Sequence, residues 1–337
     1  WVTATCEFGR HDSPFLRSGA EELLFTPAKG AIGLLTTGRP VFSSVNFQLN
    51  QEFVKEVFKK LESQNQDLGT IYRHTKNQSL NGVLNRNFSL LGDPSMKLAR
   101  PELTVKVNGF FNPETGATID TLIALEEVEL IAEIIDPMTG SNLIGFNGEF
   151  TLEVIGPSSP STTLGDESSP FEFSEEKPLF RGRGTVENGV LRSRILFPNQ
   201  LLNELEAGNV RILAWDESSR LRAIGQIAPL ITTNSTPPMD ENGPEIALTI
   251  EGQTAGNFVF NSTQLKVNAI LADLSGIQIS GKIPGQDLYL KVNDEEPLLL
   301  NEYFFASNGN YQEGELKILV SGFQEGLNQL KIGAWDN

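Results

Sequence analysis

The sequence predicts a multidomain protein of α/β plus all-β class. Residues 1–100 read as part of an α/β domain. Two β-sandwich (Ig-like) modules follow, at 101–238 and 239–337, the second truncated. Three observations carry this. Before residue 100, short apolar runs alternate with helical spacing, whereas beyond it the period settles to two. Ser/Pro/Gly/Thr-rich stretches at 156–170 and 232–244 read as a loop and a linker. The β part also repeats itself.

At the start, Trp1, Val2, Thr3 and Thr5 are large or β-branched and suit a strand, which breaks into small and charged residues at Cys6. Cys6 is the only cysteine among 337 residues. The pattern puts it at the carboxyl end of a strand, where ligands and chemistry collect in open α/β sheets. Ser18 and Glu21 fit a capping box for a helix through about Phe25, with Glu22 adding negative charge to its first turn. Pro27 and Gly30 end it. Gly30 to Thr37 is nearly all apolar, as expected of a strand buried on both faces. Asn50 is expected to cap a second helix, along which Phe53, Val54, Val57, Phe58 and Leu61 recur at helical spacing. Lys59 and Lys60 sit near that helix's negative end. His74, in the polar stretch TIYRHTKNQ, reads as a loop histidine. The order strand, helix, strand, helix implies a parallel sheet. Residues 88–98 read as a last strand that turns at Gly92-Asp93-Pro94.

From residue 101, Leu103, Val105 and Val107 alternate with polar residues, as do Val128, Leu130, Ala132 and Ile134. Gln200 to Glu206 suits one or two helical turns. Val210-Arg-Ile212-Leu-Ala214-Trp215-Asp216 recurs as Leu330-Lys-Ile332-Gly-Ala334-Trp335-Asp336. Leu130 to Asp136 resembles Val267 to Asp273, and Gly189-Val-Leu191 resembles Gly314-Glu-Leu316. Two copies of one module account for this. Each Trp-Asp pair is expected at a strand end, the aspartate bonding turn amides and the indole packing nearby.

Composition bounds the function. The 39% apolar and 20% charged fractions are those of a soluble globular protein. A net charge of −17 repels phosphate backbones, so no nucleic-acid partner is expected. No apolar run approaches the roughly 20 residues that cross a bilayer. One cysteine excludes an intrachain disulfide framework and a cysteine-based zinc site. His11 and His74 are too few for a histidine-based metal site, and no cofactor is expected. The chain opens inside strand-like sequence without an initiating Met and ends at Asn337 just after another strand, so a fragment of a longer polypeptide is expected.

A catalytic thiol needs a base, donors for an oxyanion, and access. Cys6 has its own N–H as one donor. The alternative for a lone cysteine is a small buried hydrophobe. His11, five residues on in the same turn, is poorly placed to reach back, so the base is expected upstream of Trp1. Glu7, Arg10, Asp12 and Arg17 either line a substrate cleft beside Cys6 or form a solvated charged loop. Arg39, after the second strand, either faces that cleft or makes a surface ion pair of little energetic worth. Gly92-Asp93-Pro94 reads as a structural turn.

Several strings carry a family resemblance. Thr3-Ala-Thr-Cys6-Glu7-Phe8, Gly19-Ala-Glu21-Glu-Leu23-Leu, Gly30-Ala-Ile-Gly-Leu-Leu-Thr36-Thr37 and Leu91-Gly92-Asp93-Pro94 resemble the end of a gingipain-type cysteine peptidase domain. The similarity is greatest to the sortase branch that serves type IX secretion. Gly243-Pro244-Glu-Ile246, Leu274-Ser-Gly276-Ile277 and the terminal Ala-Trp-Asp resemble a later β domain of the same branch. The resemblance implies a caspase-like α/β fold with Cys6 as nucleophile and the catalytic histidine on a preceding strand, outside this chain. Glu7, Arg10 and Arg39 become candidate substrate contacts. It also implies a place at the cell surface or outer membrane of a Gram-negative bacterium. The implied partners are protein substrates with C-terminal sorting domains, type IX secretion components and a lipopolysaccharide acceptor. Two other readings stay open: a gingipain-like secreted protease that degrades extracellular proteins, and a non-enzymatic docking role for the β modules.

Overall fold

The computed structural model describes residues 2–3, 5–26, 30–59, 66–79, 86–165, 169–198, 205–232, 242–254, 259–281 and 285–337. They form two compact units, Trp1–Arg100 and Pro101–Asn337.

In the first unit, helix α1 is Gly19–Phe25. Its capping box is present: Ser18 Oγ accepts from the Glu21 N–H at 3.3 Å and Glu21 Oε2 accepts from the Ser18 N–H at 2.8 Å. Strand β1, Gly33–Thr37, is buried at every position, as its apolar run requires. Helices α2 (Ser43–Phe58) and α3 (Leu68–Ser79) follow, then strand β2, Phe88–Gly92.

Several expectations change here. β1 and β2 pair antiparallel, Leu35 opposite Leu90, not parallel. The reason is α3: one helix between two strands returns the chain in the same direction, whereas two reverse it. The polar stretch TIYRHTKNQ made His74 read as a loop histidine, yet Asp67 starts a helix there. Its carboxylate accepts from the Thr70 N–H (2.7 Å) and hydroxyl (3.1 Å). Leu68, Ile71 and Thr75 then form a narrow buried stripe. Asn50 does not cap α2. It lies mid-helix, with its amide Nδ2 donating to the Asn46 carbonyl (2.9 Å) and to Asn46 Oδ1 (2.7 Å). The stripe expected from Phe53 to Leu61 is buried only in part: Phe53 packs against the Leu35, Leu49 and Phe88 cluster, Val57 is half-buried, Val54 and Phe58 are exposed, and Leu61 lies outside the described residues. At the start of the chain no regular strand forms among the described residues, though the segment still bonds to β1. Val2 makes an isolated parallel bridge to Leu35, and the Thr3 N–H donates to the Leu35 carbonyl.

The second unit is β throughout its described elements. In order these are β3 Leu103–Phe111, β4 Thr118–Ile119, β5 Thr121–Ile123, β6 Val128–Ile135, β7 Gly148–Ile155, β8 Ser159–Thr162, β9 Glu172–Glu175, β10 Pro178–Glu187, β11 Val190–Ile195 and β12 Glu206–Ala207. Then come β13 Asn209–Asp216, β14 Leu221–Ile227, β15 Leu230–Thr232, β16 Glu245–Ile250, β17 Gln253–Thr254, β18 Leu265–Ala272, β19 Tyr289–Val292, β20 Leu298–Leu299, β21 Phe305–Ala306, β22 Glu313–Val320 and β23 Leu330–Gly333. Burial alternates along β6 and β18 as the period-two pattern requires. The stretch 156–170 is not wholly loop: β8 pairs with β9 as a hairpin. The linker at 232–244 and the turns expected from Gln200 fall mostly outside the described residues, and Glu206 itself lies in β12.

A 13-stranded sheet in the order β11-β6-β3-β14-β13-β7-β10-β21-β22-β18-β16-β17, with β4 on β3, runs through both copies of the repeat. In the first copy β10 pairs with β7 on one side and β11 on the other, so the strands wrap one core around Phe146, Phe150 and Phe197. Asn188 (φ 52°) and Gly189 (φ 74°) make the β10–β11 turn, both left-handed as a two-residue hairpin loop needs.

The repeat extends to strand register. Leu191 faces Ala132, and their counterparts Leu316 and Ala269 face each other. Ile212 faces Leu152, and Ile332 faces Leu290. Val105 faces Ile134, and Ile246 faces Leu271. Asp136 and Asp273 each accept from the N–H two residues on. Asp216 accepts from the Ser218 and Ser219 N–H groups, as its strand-end position suggests, and Trp335 packs on Tyr289 at 5.8 Å between ring centroids.

Candidate active site

The segment bearing Cys6 is fastened to β1 from both sides of the thiol. Before it, the Thr3 N–H donates to the Leu35 carbonyl (3.1 Å), the Thr3 and Thr36 hydroxyls bond at 2.8 Å, and the Thr37 hydroxyl donates to the Thr5 carbonyl. After it, the Gly9 N–H donates to the Thr37 carbonyl (2.9 Å). Gly9 is required at this crossing, since a Cβ there would lie 2.1 Å from the Thr36 side chain. The Phe8 carbonyl accepts from the Ala20 N–H, tying the same loop to the start of α1. Alternation of threonines with small residues in this stretch lets two backbones lie this close.

Cys6 sits in the bend between these ties and is exposed. Its Sγ–H donates to the Val41 carbonyl at 3.3 Å, just before α2 begins. The packing role open to a lone cysteine is therefore not the one it plays. Glu7, next in the chain, has φ 58°, a left-handed conformation that costs a non-glycine residue energy and gathers at functional loops. That conformation turns the chain out of line directly after Cys6.

The charged residues near the thiol pair among themselves. Arg10 Nη1 lies 3.4 Å from Glu7 Oε1. Arg39 forks onto Asp12: Nη1 donates to Oδ1 at 2.9 Å and Nη2 to Oδ2. The Arg39 guanidinium holds the Asp12 carboxyl at about 2, well below the usual carboxylate range, and Asp12 in turn raises Arg39. Arg17 pairs with Glu22 at 3.3 Å and lies over the Phe25 ring. Glu7, Arg10, Asp12 and Arg39 thus share one loop region, and Arg39 makes the surface ion pair that was one of its two readings.

Neither histidine engages the thiol. His11 Nδ1 bonds the Gly9 carbonyl at 2.9 Å, within its own turn. His74 is on α3, 3.4 Å from Glu56 on α2, and is not a loop residue. Among the described residues no group of three His, Cys, Asp or Glu side chains is placed to hold a metal ion. No described helix is long and apolar enough to cross a membrane. Asp93 takes the role expected of it as a turn residue, accepting from the Ser95 N–H (2.8 Å) and hydroxyl (2.7 Å).

The structure thus presents an exposed thiol at a bend beside a buried strand, and residues 1–99, which hold it, match the model of peptidase family C25. Among solved structures, the crystal structure of dimeric latent PorU from Porphyromonas gingivalis is similar at 22% identity and a TM-score of 0.41, over 91% of this chain. The chain spans about 30% of the length of that PorU chain. A putative membrane anchored protein from Corynebacterium diphtheriae is similar at 11% identity and a TM-score of 0.20, over 74% of this chain and 59% of its own. No curated protein matches the chain.

Proposed function

We propose that the chain carries the nucleophile and accessory β modules of a cysteine endopeptidase or transpeptidase of the type IX secretion sortase kind. The observation that supports this is an exposed Cys6 in a bend fastened to a buried strand, within a segment of family C25. In this reading residues 1–100 are part of a caspase-like α/β domain. Residues 101–238 and 239–337 are Ig-like β-sandwich modules that position it at the bacterial surface.

The Cys6 sulfur, as thiolate, attacks a peptide carbonyl of secreted cargo at the border of its C-terminal sorting domain. The C–N bond breaks, the released amine takes a proton, and the acyl group stays on sulfur as a thioester. Water or an amine of a lipopolysaccharide acceptor then attacks the thioester and frees the thiol. His11 and His74, each held elsewhere, do not supply the base. Glu7, Arg10 and Arg39 border the approach to the sulfur and contact the substrate once their ion pairs open.

Incubation of the protein extended upstream to include the expected histidine with a cargo protein that bears a sorting domain, followed by intact-mass analysis, tests the reading. An acyl adduct on Cys6 that hydroxylamine removes, absent in Cys6→Ala, is expected. Equal processing by Cys6→Ala would overturn it. Cleavage of any unfolded protein without preference for the sorting-domain border would favour a degradative gingipain-like protease. The thiol's contact with the Val41 carbonyl, with both histidines engaged elsewhere, favours the docking role instead. Binding of secretion components by residues 101–337, with no adduct on Cys6, would decide for that role.

A further inference from the structure

One residue of β1 grips the chain on both flanks of Cys6. The Thr37 hydroxyl donates to the Thr5 carbonyl, and the Thr37 carbonyl accepts from the Gly9 N–H at 2.9 Å. From α2, Asn46 donates its amide Nδ2 to the same Thr5 carbonyl at 3.4 Å. Two side chains from two different elements thus converge on one backbone oxygen, that of the residue just before the thiol.

Both donors are polar groups at positions that an apolar side chain would fill equally well. Thr37 is 0% exposed at the end of β1, and Asn46 is 4% exposed on the inward side of α2. A polar side chain at that depth costs free energy unless it is bonded. The Asn46 amide is itself held in one orientation. Its Oδ1 accepts from Asn50 Nδ2 at 2.7 Å, which leaves Nδ2 to face Thr5.

The Thr5–Cys6 peptide is trans, so fixing its carbonyl fixes its N–H on the opposite side. That N–H belongs to Cys6, and it points away from Thr37 and Asn46. When a thiolate adds to a carbonyl, the oxygen that gains the charge forms within reach of the nucleophile's own N–H. A donor already oriented there stabilises it without reorganisation. We infer that Thr37 and Asn46 are positioning residues, which lock the Thr5–Cys6 peptide so that the Cys6 N–H serves as an oxyanion donor. The inference rests on the nucleophile role proposed above for Cys6, and on neither the cargo nor the acceptor.

Two reagents separate this role from packing. With p-nitrophenyl acetate the Cys6 thiolate adds to the ester carbonyl, the carbonyl oxygen takes the negative charge, and the C–O bond then breaks as p-nitrophenolate leaves, giving a thioester. Iodoacetamide alkylates the same sulfur by displacing iodide and develops no oxyanion. Both rates are measured at Cys6 of this chain by peptide mass mapping, at about pH 9, above the ordinary thiol range. Their ratio cancels any change in thiol ionisation or access. Thr37→Val keeps the packing and removes the hydroxyl. In it the ratio of acylation to alkylation is expected to fall roughly tenfold, and to recover in Thr37→Ser. Asn46→Leu, close in size, is expected to lower the ratio less, because its bond to Thr5 is the longer one. A ratio unchanged in Thr37→Val and Asn46→Leu would overturn the inference. So would equal falls in both rates, the mark of a merely loosened loop, or a Thr37→Ser protein that does not recover. If cargo is not processed while the ratio still responds, the sortase reading falls and the positioning role stands.

Discussion

The Arg183 guanidinium lies over the Phe305 ring, 3.9 Å from its centroid, and joins the two copies of the β repeat. The contact marks a short strap. Ala306 pairs parallel with Gly182 of β10, the Gly309 N–H donates to the Arg183 carbonyl, and the Gly309 carbonyl accepts from the Arg194 N–H. Ala306 and Tyr311, from the second copy, are buried in the core of the first. Gly309 has φ 65°, and a Cβ there would sit 2.7 Å from the Arg192 carbonyl oxygen. Gly309→Ala is therefore expected to loosen the strap and separate one unfolding transition into two in calorimetry. Arg183→Ala removes only the ring contact, worth about 0.5–2 kcal/mol, and is expected to lower the melting temperature while keeping one transition. A single unchanged transition in Gly309→Ala would mean the copies are coupled elsewhere.

The Arg39–Asp12 fork sets a pH response near the thiol. Asp12 titrates at about 2 in the folded protein because Arg39 donates to it, against about 3.9 unfolded. A lowered folded value means that the pair stabilises above about pH 4 and that its contribution is lost as pH falls towards 2. Both side chains are about half exposed, 47% and 49%, so the contribution at neutral pH is small. In Arg39→Ala the Asp12 carboxyl is expected to titrate back near the ordinary range by carbon-detected NMR, with thermal stability at pH 7 little changed. An Asp12 titration unmoved by the substitution would show that Arg39 is not its partner in solution.

The N-terminal cap of α1 gives a local test. Ser18→Ala removes the hydroxyl that accepts from the Glu21 N–H, and the loss is expected to cost about 1 kcal/mol. Ser18→Asp restores an acceptor but places a second carboxylate beside Glu21, so only partial recovery is expected. Urea denaturation of the first unit's signal measures both. A cap of this kind that made no difference would mean that α1 is held by Ala20 and its packing alone.

What the sequence disclosed follows the range of the interaction. The Ser18–Glu21 box spans three residues and was legible. So was the burial of Gly33–Thr37, which depends on composition alone. The start of α3 at Asp67 was hidden because its buried stripe is only Leu68, Ile71 and Thr75 within a polar run, and missing that helix reversed the sense of the β1–β2 pairing. The repeat was legible from Ala-Trp-Asp, yet the strap at Phe305–Gly309 was not, since its partners lie more than a hundred residues earlier. At the site, Cys6 stood out as the lone thiol and Arg39 as a charged residue after a strand. The Val41 carbonyl that holds the thiol and the Asp12 that holds Arg39 are contacts across 35 and 27 residues, and no spacing rule reports them.

The two copies also offer one residue type in one register with two environments. Ile212 of β13 faces Leu152 and is 1% exposed, with β14 alongside. Ile332 of β23 faces Leu290, but its outer side has no strand beside it among the described residues and it is only partly buried. Truncating a fully enclosed isoleucine removes transfer free energy and leaves a cavity, about 2–5 kcal/mol. Truncating one that is only partly buried loses less transfer energy and leaves no closed cavity. Ile212→Ala is therefore expected to cost at least twice what Ile332→Ala costs in urea denaturation. Equal costs would require something to cover Ile332 as fully as β14 covers Ile212.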